Sequence, residues 1–112
     1  MVIDPDRQDQ QMLAEVVAWF EVNSASLREA GVEVRLVGPS CGESKNSVEV
    51  GFLSSRLLVT VSVWDSWECD IGTLDLEHGP EGDLVWEVLE LTGYLHIRVL
   101  LDRIAARYLD FD

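Results

Sequence analysis

Apolar and polar positions alternate along this chain with two different periods, and the change of period divides it into seven elements. From Leu13 the apolar residues Val16, Val17, Phe20 and Leu27 recur at helical spacing. Asp4-Pro5 reads as the helix start, with Asp as N-cap and Pro at the first helical position, and Gly31 as its stop. The pattern predicts a helix from about residue 6 to about residue 30, which Asn23-Ser24 could bend through bonds to the backbone. Trp19 lies beside the main stripe, at the boundary of the core.

Beyond Gly31 the period drops to two. Val32, Val34 and Leu36 oppose Glu33 and Arg35; Gly38 to Asn46 carries every turn signal; Val48, Val50 and Phe52 mark a second strand. Ser54-Ser55 turns the chain. Leu57, Val59, Val61 and Val63 form the most apolar strand, expected at the centre of the sheet. After a tight turn at Asp65-Ser66, Trp67, Cys69 and Ile71 alternate with Glu68 and Asp70. The phase then slips, Leu74 and Leu76 becoming the apolar positions, and a bulge at Gly72 is the expected cause. His78 to Asp83 is a turn, and Leu84, Trp86 and Val88 mark a fifth strand. Thr92 is placed to cap a last helix, with Leu95, Val99, Leu101, Ile104, Ala105 and Tyr108 as its buried stripe, Arg98, Arg103 and Arg107 outside, and a frayed tail at Asp110-Phe111-Asp112.

The order is α-β-β-β-β-β-α. The fold class is α+β: an antiparallel five-stranded meander with the N-terminal and C-terminal helices packed on one face and the other face open. The 112 residues suit a single domain, 1–112, with one core. On the third strand Leu58, Thr60, Ser62 and Trp64 should point to the open face. On the fourth, Glu68 and Asp70 should do so before the slip and Asp75 and Glu77 after it. On the fifth, with Trp86 in the core, the outward residues are Asp83, Val85, Glu87 and Leu89.

Charge changes this picture. Eight basic residues against twenty-one acidic ones give a net charge of −13, which disfavours nucleic acid and anionic membrane as partners. Between Arg56 and Arg98 there is no lysine or arginine, but there are nine carboxylates (Asp65, Glu68, Asp70, Asp75, Glu77, Glu81, Asp83, Glu87 and Glu90) and three of the four tryptophans: Trp64, Trp67 and Trp86. A one-signed field set with aromatics fits a docking surface for a basic protein, the rings as anchors and the acids as steering charges. A solvated face on an acidic protein is the plainer alternative. Trp64 is the first anchor by phase, while Trp67 and Trp86 belong in the core by theirs.

Chemistry is sparse. His78 and His96 stand apart, no C-x-x-C occurs, and no Walker loop, G-x-G-x-x-G or G-x-S-x-G is present. The acids from Asp75 to Asp83 lack the order of a calcium loop. No catalytic, metal or cofactor site is expected, and the chain reads as a non-enzyme. Cys41 and Cys69 could form one bridge, but two free thiols suit the cytoplasmic setting expected of a chain with no signal peptide.

The stretch Val61-Ser62-Val63-Trp64-Asp65-Ser66-Trp67-Glu68-Cys69-Asp70-Ile71-Gly72-Thr73-Leu74-Asp75-Leu76, with Leu84-Val85-Trp86-Glu87 and the helical Trp19-Phe20, resembles the TriTu family of bacterial immunity proteins. The resemblance is closest over about residues 59 to 90 and departs at Trp67, where the family's turn would have glycine. It implies a non-catalytic protein that binds and neutralises an antibacterial ADP-ribosyltransferase toxin acting on elongation factor Tu. On this reading Trp64, Asp65, Trp67, Glu68, Asp70, Asp75, Glu77 and Glu87 meet a basic cognate toxin, and the protein is a monomer, with a homodimer as the alternative. Rival readings are an acidic chaperone of the type III secretion kind, for which the apolar surplus of the last helix would be a dimer face, and a nucleic-acid mimic that inhibits a DNA-binding protein.

Overall fold

A computed structural model of the protein describes residues 8–41, 46–77 and 84–109. The elements are α1 (Gln8–Glu29), β1 (Glu33–Cys41), β2 (Asn46–Leu53), β3 (Leu57–Trp64), β4 (Glu68–Asp75), β5 (Leu84–Glu90) and α2 (Tyr94–Leu109). The five strands form one sheet in sequence order, each antiparallel to its neighbours, with β3 at the centre. This is the α+β meander expected from the pattern. The helix start at Asp4-Pro5, the loop core 42–45, the turn 78–83 and the tail 110–112 lie outside the described residues.

Local chemistry sets the corners. At the end of α1 the Val32 amide donates to Leu27 O at 2.9 Å and the Gly31 amide to Arg28 O at 3.0 Å, with Gly31 at φ +86°. This is a Schellman closure, and its usual hydrophobic seal is present because Leu27 and Val32 are both buried. Asn23 does not break the helix; its side-chain amide donates back to Trp19 O at 2.9 Å. Between β2 and β3 the Ser54 hydroxyl accepts the amides of Arg56 and Leu57, both at 3.2 Å, and so satisfies donors that the turn would strand. Between β3 and β4 the Trp67 amide donates to Trp64 O at 3.0 Å, and Trp67 itself sits at φ +70°. The mismatch with glycine at this position thus has a backbone counterpart: an indole-bearing residue in left-handed space.

Both helices lie on the side of the sheet that carries Val34, Val48, Val50, Phe52, Val59, Val61, Val63, Cys69 and Ile71. Phe52 stands between them, edge-on to Trp19 of α1 with centroids 5.9 Å apart and stacked on Tyr108 of α2 at 5.8 Å. The Tyr108 hydroxyl donates towards Phe52 O and Leu57 O, both at 3.1 Å, pinning α2 to the β2–β3 corner. The helices are tied to each other by Trp19 Nε1, which donates to Asp102 Oδ1 at 2.8 Å, and by an Arg98–Glu15 ion pair at 3.1 Å.

Four local expectations are corrected. The register of β4 runs without interruption past Gly72 on both sides, so no bulge lies there; the irregularity is in β1, between Val37 and Ser40. Pro39, Ser40, Cys41 and Asn46 belong to strands rather than to a loop, because β1 and β2 keep pairing to Cys41 and Asn46. Thr92 does not cap α2. Gly93 O accepts the first helical amides, and the Thr92 amide donates instead to His96 Nδ1 at 3.1 Å. In α2 the buried stripe includes Ile97, while Leu95 is 71% exposed and Val99 half-buried.

Candidate functional site

Residues directly opposite in an antiparallel pair share a face, so the register assigns the uncovered side in rows. Glu33, Leu53, Leu58, Leu74 and Leu84 form one row, and Arg35, Gly51, Thr60, Gly72 and Trp86 the next. Val37, Glu49, Ser62, Asp70 and Val88 form a third, and Ser47, Trp64, Glu68 and Glu90 close the face near the β3–β4 turn.

This face is more apolar than the sequence suggests. Leu53, Leu84, Val37 and Val88 are exposed large apolar residues, and Trp86 is 62% exposed. Leu58 and Leu74, half-buried, join Leu53 to Leu84 across the sheet. The Trp86 ring lies over Gly72: a Cβ built there would stand 2.8 Å from the ring and 3.0 Å from Thr60 Oγ1. Gly72 is therefore the close-approach glycine of a mid-strand position, and its role is to seat an aromatic ring. At Gly51 nothing lies within 4 Å of a built Cβ. Gly51 floors a hollow of about 290 Å³ walled by Arg35, Val37, Leu53, Leu58 and Thr60, with Glu33 and Glu49 at its rim.

Carboxylates border the apolar belt. Glu33, Glu49, Asp70, Glu68 and Glu90 face the open side, and among the described residues of its strands the one cation there is Arg35, 3.2 Å from Glu33. Asp70 Oδ2 accepts a long hydrogen bond from Trp64 Nε1 at 3.4 Å, and Glu49 accepts one from the Ser62 hydroxyl at 3.3 Å. On the covered side Cys69 is a free, buried thiol. Burial, helped by the Asp70 carboxylate next in the chain, pushes it up to about 12, so it is an inert neutral side chain at neutral pH.

The eight residues expected to meet a partner do not form one patch. Trp64, Glu68 and Asp70 share the open face, with Asp65 beside them in the turn. Trp67 turns the other way, 5.3 Å from the Tyr94 ring and packed on the core. Asp75 pairs with Leu57 on the helix side; its Oδ1 accepts the Glu77 amide at 2.9 Å, and Glu77 is 3.9 Å from Arg56, so both close the far end of β4. Glu87 opposes buried Ile71 and so lies on the opposite face from Trp86. The expected faces of β5 are thus reversed: Trp86 is outside the core, and Glu87 and Leu89 lie on the helix side.

Sequence reasoning placed Leu58 on the open face but missed Trp86, Val88 and the other leucines of its row, Leu53, Leu74 and Leu84, as surface residues. One signal was available, a glycine in mid-strand two strands from a second one, which marks a backbone closely approached from one side. Among the described residues no group of three or more His, Cys, Asp or Glu could hold a metal ion, and no helix is long and apolar enough to cross a membrane. No family model matches this chain, and comparisons with curated proteins and with solved structures also find no match.

Proposed function

We propose that this chain is a cytoplasmic binding protein, not a catalyst, and that its work is that of an immunity protein: it receives a basic toxin domain on the open face of its sheet and keeps it inactive. The observation that carries the reading is an uncovered apolar belt, from Leu53 through Leu58 and Leu74 to Leu84 and Trp86, inside a border of carboxylates. Burying a large apolar side chain is worth about 1.5–3 kcal/mol, so such a belt favours a partner that covers it. The border then selects the partner, speeding encounter with a basic surface and repelling an acidic one. Trp86 is the central anchor, seated on Gly72 and flanked by Val88. The ADP-ribosyltransferase class of the toxin comes from the TriTu resemblance, and a cleft that holds an anionic dinucleotide fits an acidic plug. The nucleic-acid mimic gains less support, because Asp75, Glu77 and Glu87 do not share the face of Glu68 and Asp70 and make no single phosphate-like track with them.

The test is growth protection. If a toxin domain is encoded beside this gene, cells expressing that domain should grow when the wild-type chain is present. They should die when it carries Trp86→Ala and Val88→Lys together, two surface changes whose fold is checked by circular dichroism. Glu77→Lys, at the far end of β4, should protect normally. Failure of the wild type to protect, or full protection by the folded double variant, would overturn the reading.

A further inference from the structure

β5 has a second unpartnered feature, its free edge. It lies at the end of the strand order, and among the described residues only β4 pairs with it. Its residues Leu84 to Val88 are exposed on both faces of the sheet, with Val88 at 72%. The Leu91 amide donates to Trp67 O at 2.7 Å, which makes that opposite pair a hydrogen-bonded one. Counting back in twos along the register, the main-chain groups of Leu89, Glu87 and Val85 turn to β4. Those of Glu90, Val88, Trp86 and Leu84 turn outward to the edge. The residues that present open amides and carbonyls are therefore the same ones that present Trp86 and Val88 on the open face.

Natural sheets blunt such an edge with lysine, proline, a bulge or a covering loop. β5 has no lysine, no proline and an unbroken register, and its only charges are Glu87 and Glu90. Charge decides what can use it. A second copy would bring another net −13, and a symmetric register centred on Glu87 would set glutamate against glutamate. A basic strand would meet Glu87 on one face, and Glu90 with Glu68 behind it on the other.

We propose that β5 is a docking edge: an extended basic segment of the partner protein adds to it as a sixth strand, its main chain bonding Trp86, Val88 and Glu90 while alternate side chains meet Trp86 and Glu87. This rests on the open-face reading above and specifies how the partner engages it.

The probe is a capped octapeptide of alternating arginine and valine, titrated calorimetrically against the whole chain. It should bind wild type, and the peptide N-methylated at every main-chain amide, which keeps every side chain but loses every main-chain donor, should bind at least about tenfold more weakly. An alternating glutamate–valine peptide should not bind. Val88→Pro removes one outward amide without touching the β4 ladder and should weaken the arginine peptide by a similar factor. The N-methylated arm needs only wild-type protein and stands even if the proline variant misfolds. Equal binding of the methylated and unmethylated peptides, or no binding of either, overturns strand addition. If the methylated peptide binds equally but Trp86→Ala abolishes binding, docking on the face survives and pairing at the edge does not. A wild-type dimer in gel filtration that Val88→Pro dissolves assigns the edge to a second copy and overturns the basic partner.

Discussion

Trp67 holds φ +70° between β3 and β4, a conformation that costs a non-glycine residue about 1–2 kcal/mol. What retains it is its ring, half-buried against the core and against Tyr94. Ring and backbone can be separated by two substitutions. Trp67→Ala loses the ring and keeps the strain; Trp67→Gly loses the ring and relieves it. Both should destabilise, but the glycine variant should be the more stable by about 1 kcal/mol in urea unfolding, reversing the usual order of the two residues in a sheet. Equal stabilities would mean the turn relaxes once the indole is gone. The two glycines of the central row make a second contrast. Gly51→Ala enters open space and should be neutral or stabilising by up to about 1 kcal/mol. Gly72→Ala drives a methyl group into the Trp86 ring and should cost about 1 kcal/mol or more while unseating that ring. Urea midpoints check the energies, and the arginine–valine peptide reports the ring.

Among the elements, α2 depends most on one side chain. Tyr108 stacks on Phe52 and its hydroxyl serves two strand carbonyls. Tyr108→Phe should cost about 0.5–1.5 kcal/mol at neutral pH, the net worth of one hydrogen bond, because the Ser54 amide still serves Leu57 O and Phe52 stays paired with Val59 in the ladder. Burial raises Tyr108 from 10.0 to about 12, and Cys69 from 9.0 to about 12. In both, the folded protein holds a proton that the unfolded chain releases sooner. Stability is therefore intact below pH 9 and falls as pH rises, first through Cys69 and then from pH 10 also through Tyr108, by up to about 1.4 kcal/mol per pH unit for each group. Urea midpoints taken from neutral to alkaline pH should fall in wild type and fall less in Cys69→Ala and Tyr108→Phe; unchanged slopes would show that neither group drives the loss. The elements also show where a sequence stops being legible. β3 alternates because one side is covered and the other is not, so its faces and its central place could be read directly. β5 is an edge strand beyond the helices, apolar on both sides, and alternation there carries no information about which side is inward. The slip at Gly72 has the same origin: Leu74 joins the leucines of the open face, whose apolar character mimics a second core phase. The carboxylates were countable, but their division between two faces follows from register, which no count contains.

Over the whole molecule, one sign of charge acts both on the chain itself and on its partner. The full chain carries a net charge of −13, and the structure has principal extents of 42 × 28 × 24 Å. At about 0.01 M salt the Debye length is about 30 Å, so the carboxylates repel across most of the structure; at about 0.1 M it is about 10 Å, and only near neighbours interact. Adding salt over that range should therefore raise the urea midpoint of the isolated chain, because the repulsion relieved is greater in the compact state than in the expanded one. The same addition should weaken the arginine–valine peptide, whose attraction to the bordering acids is screened along with the repulsion. Opposite responses to one variable distinguish this arrangement from its plainer alternative. If the acids were merely solvated and the apolar belt alone held the peptide, affinity would stay level while stability rose. If affinity falls but Glu68→Gln with Glu90→Gln flattens the fall, the effect is localised to the acids beside β5 rather than to the chain's overall charge. A fall that those two substitutions leave unchanged would assign steering to the molecule as a whole and leave the belt around Trp86 as the sole determinant of where the partner settles.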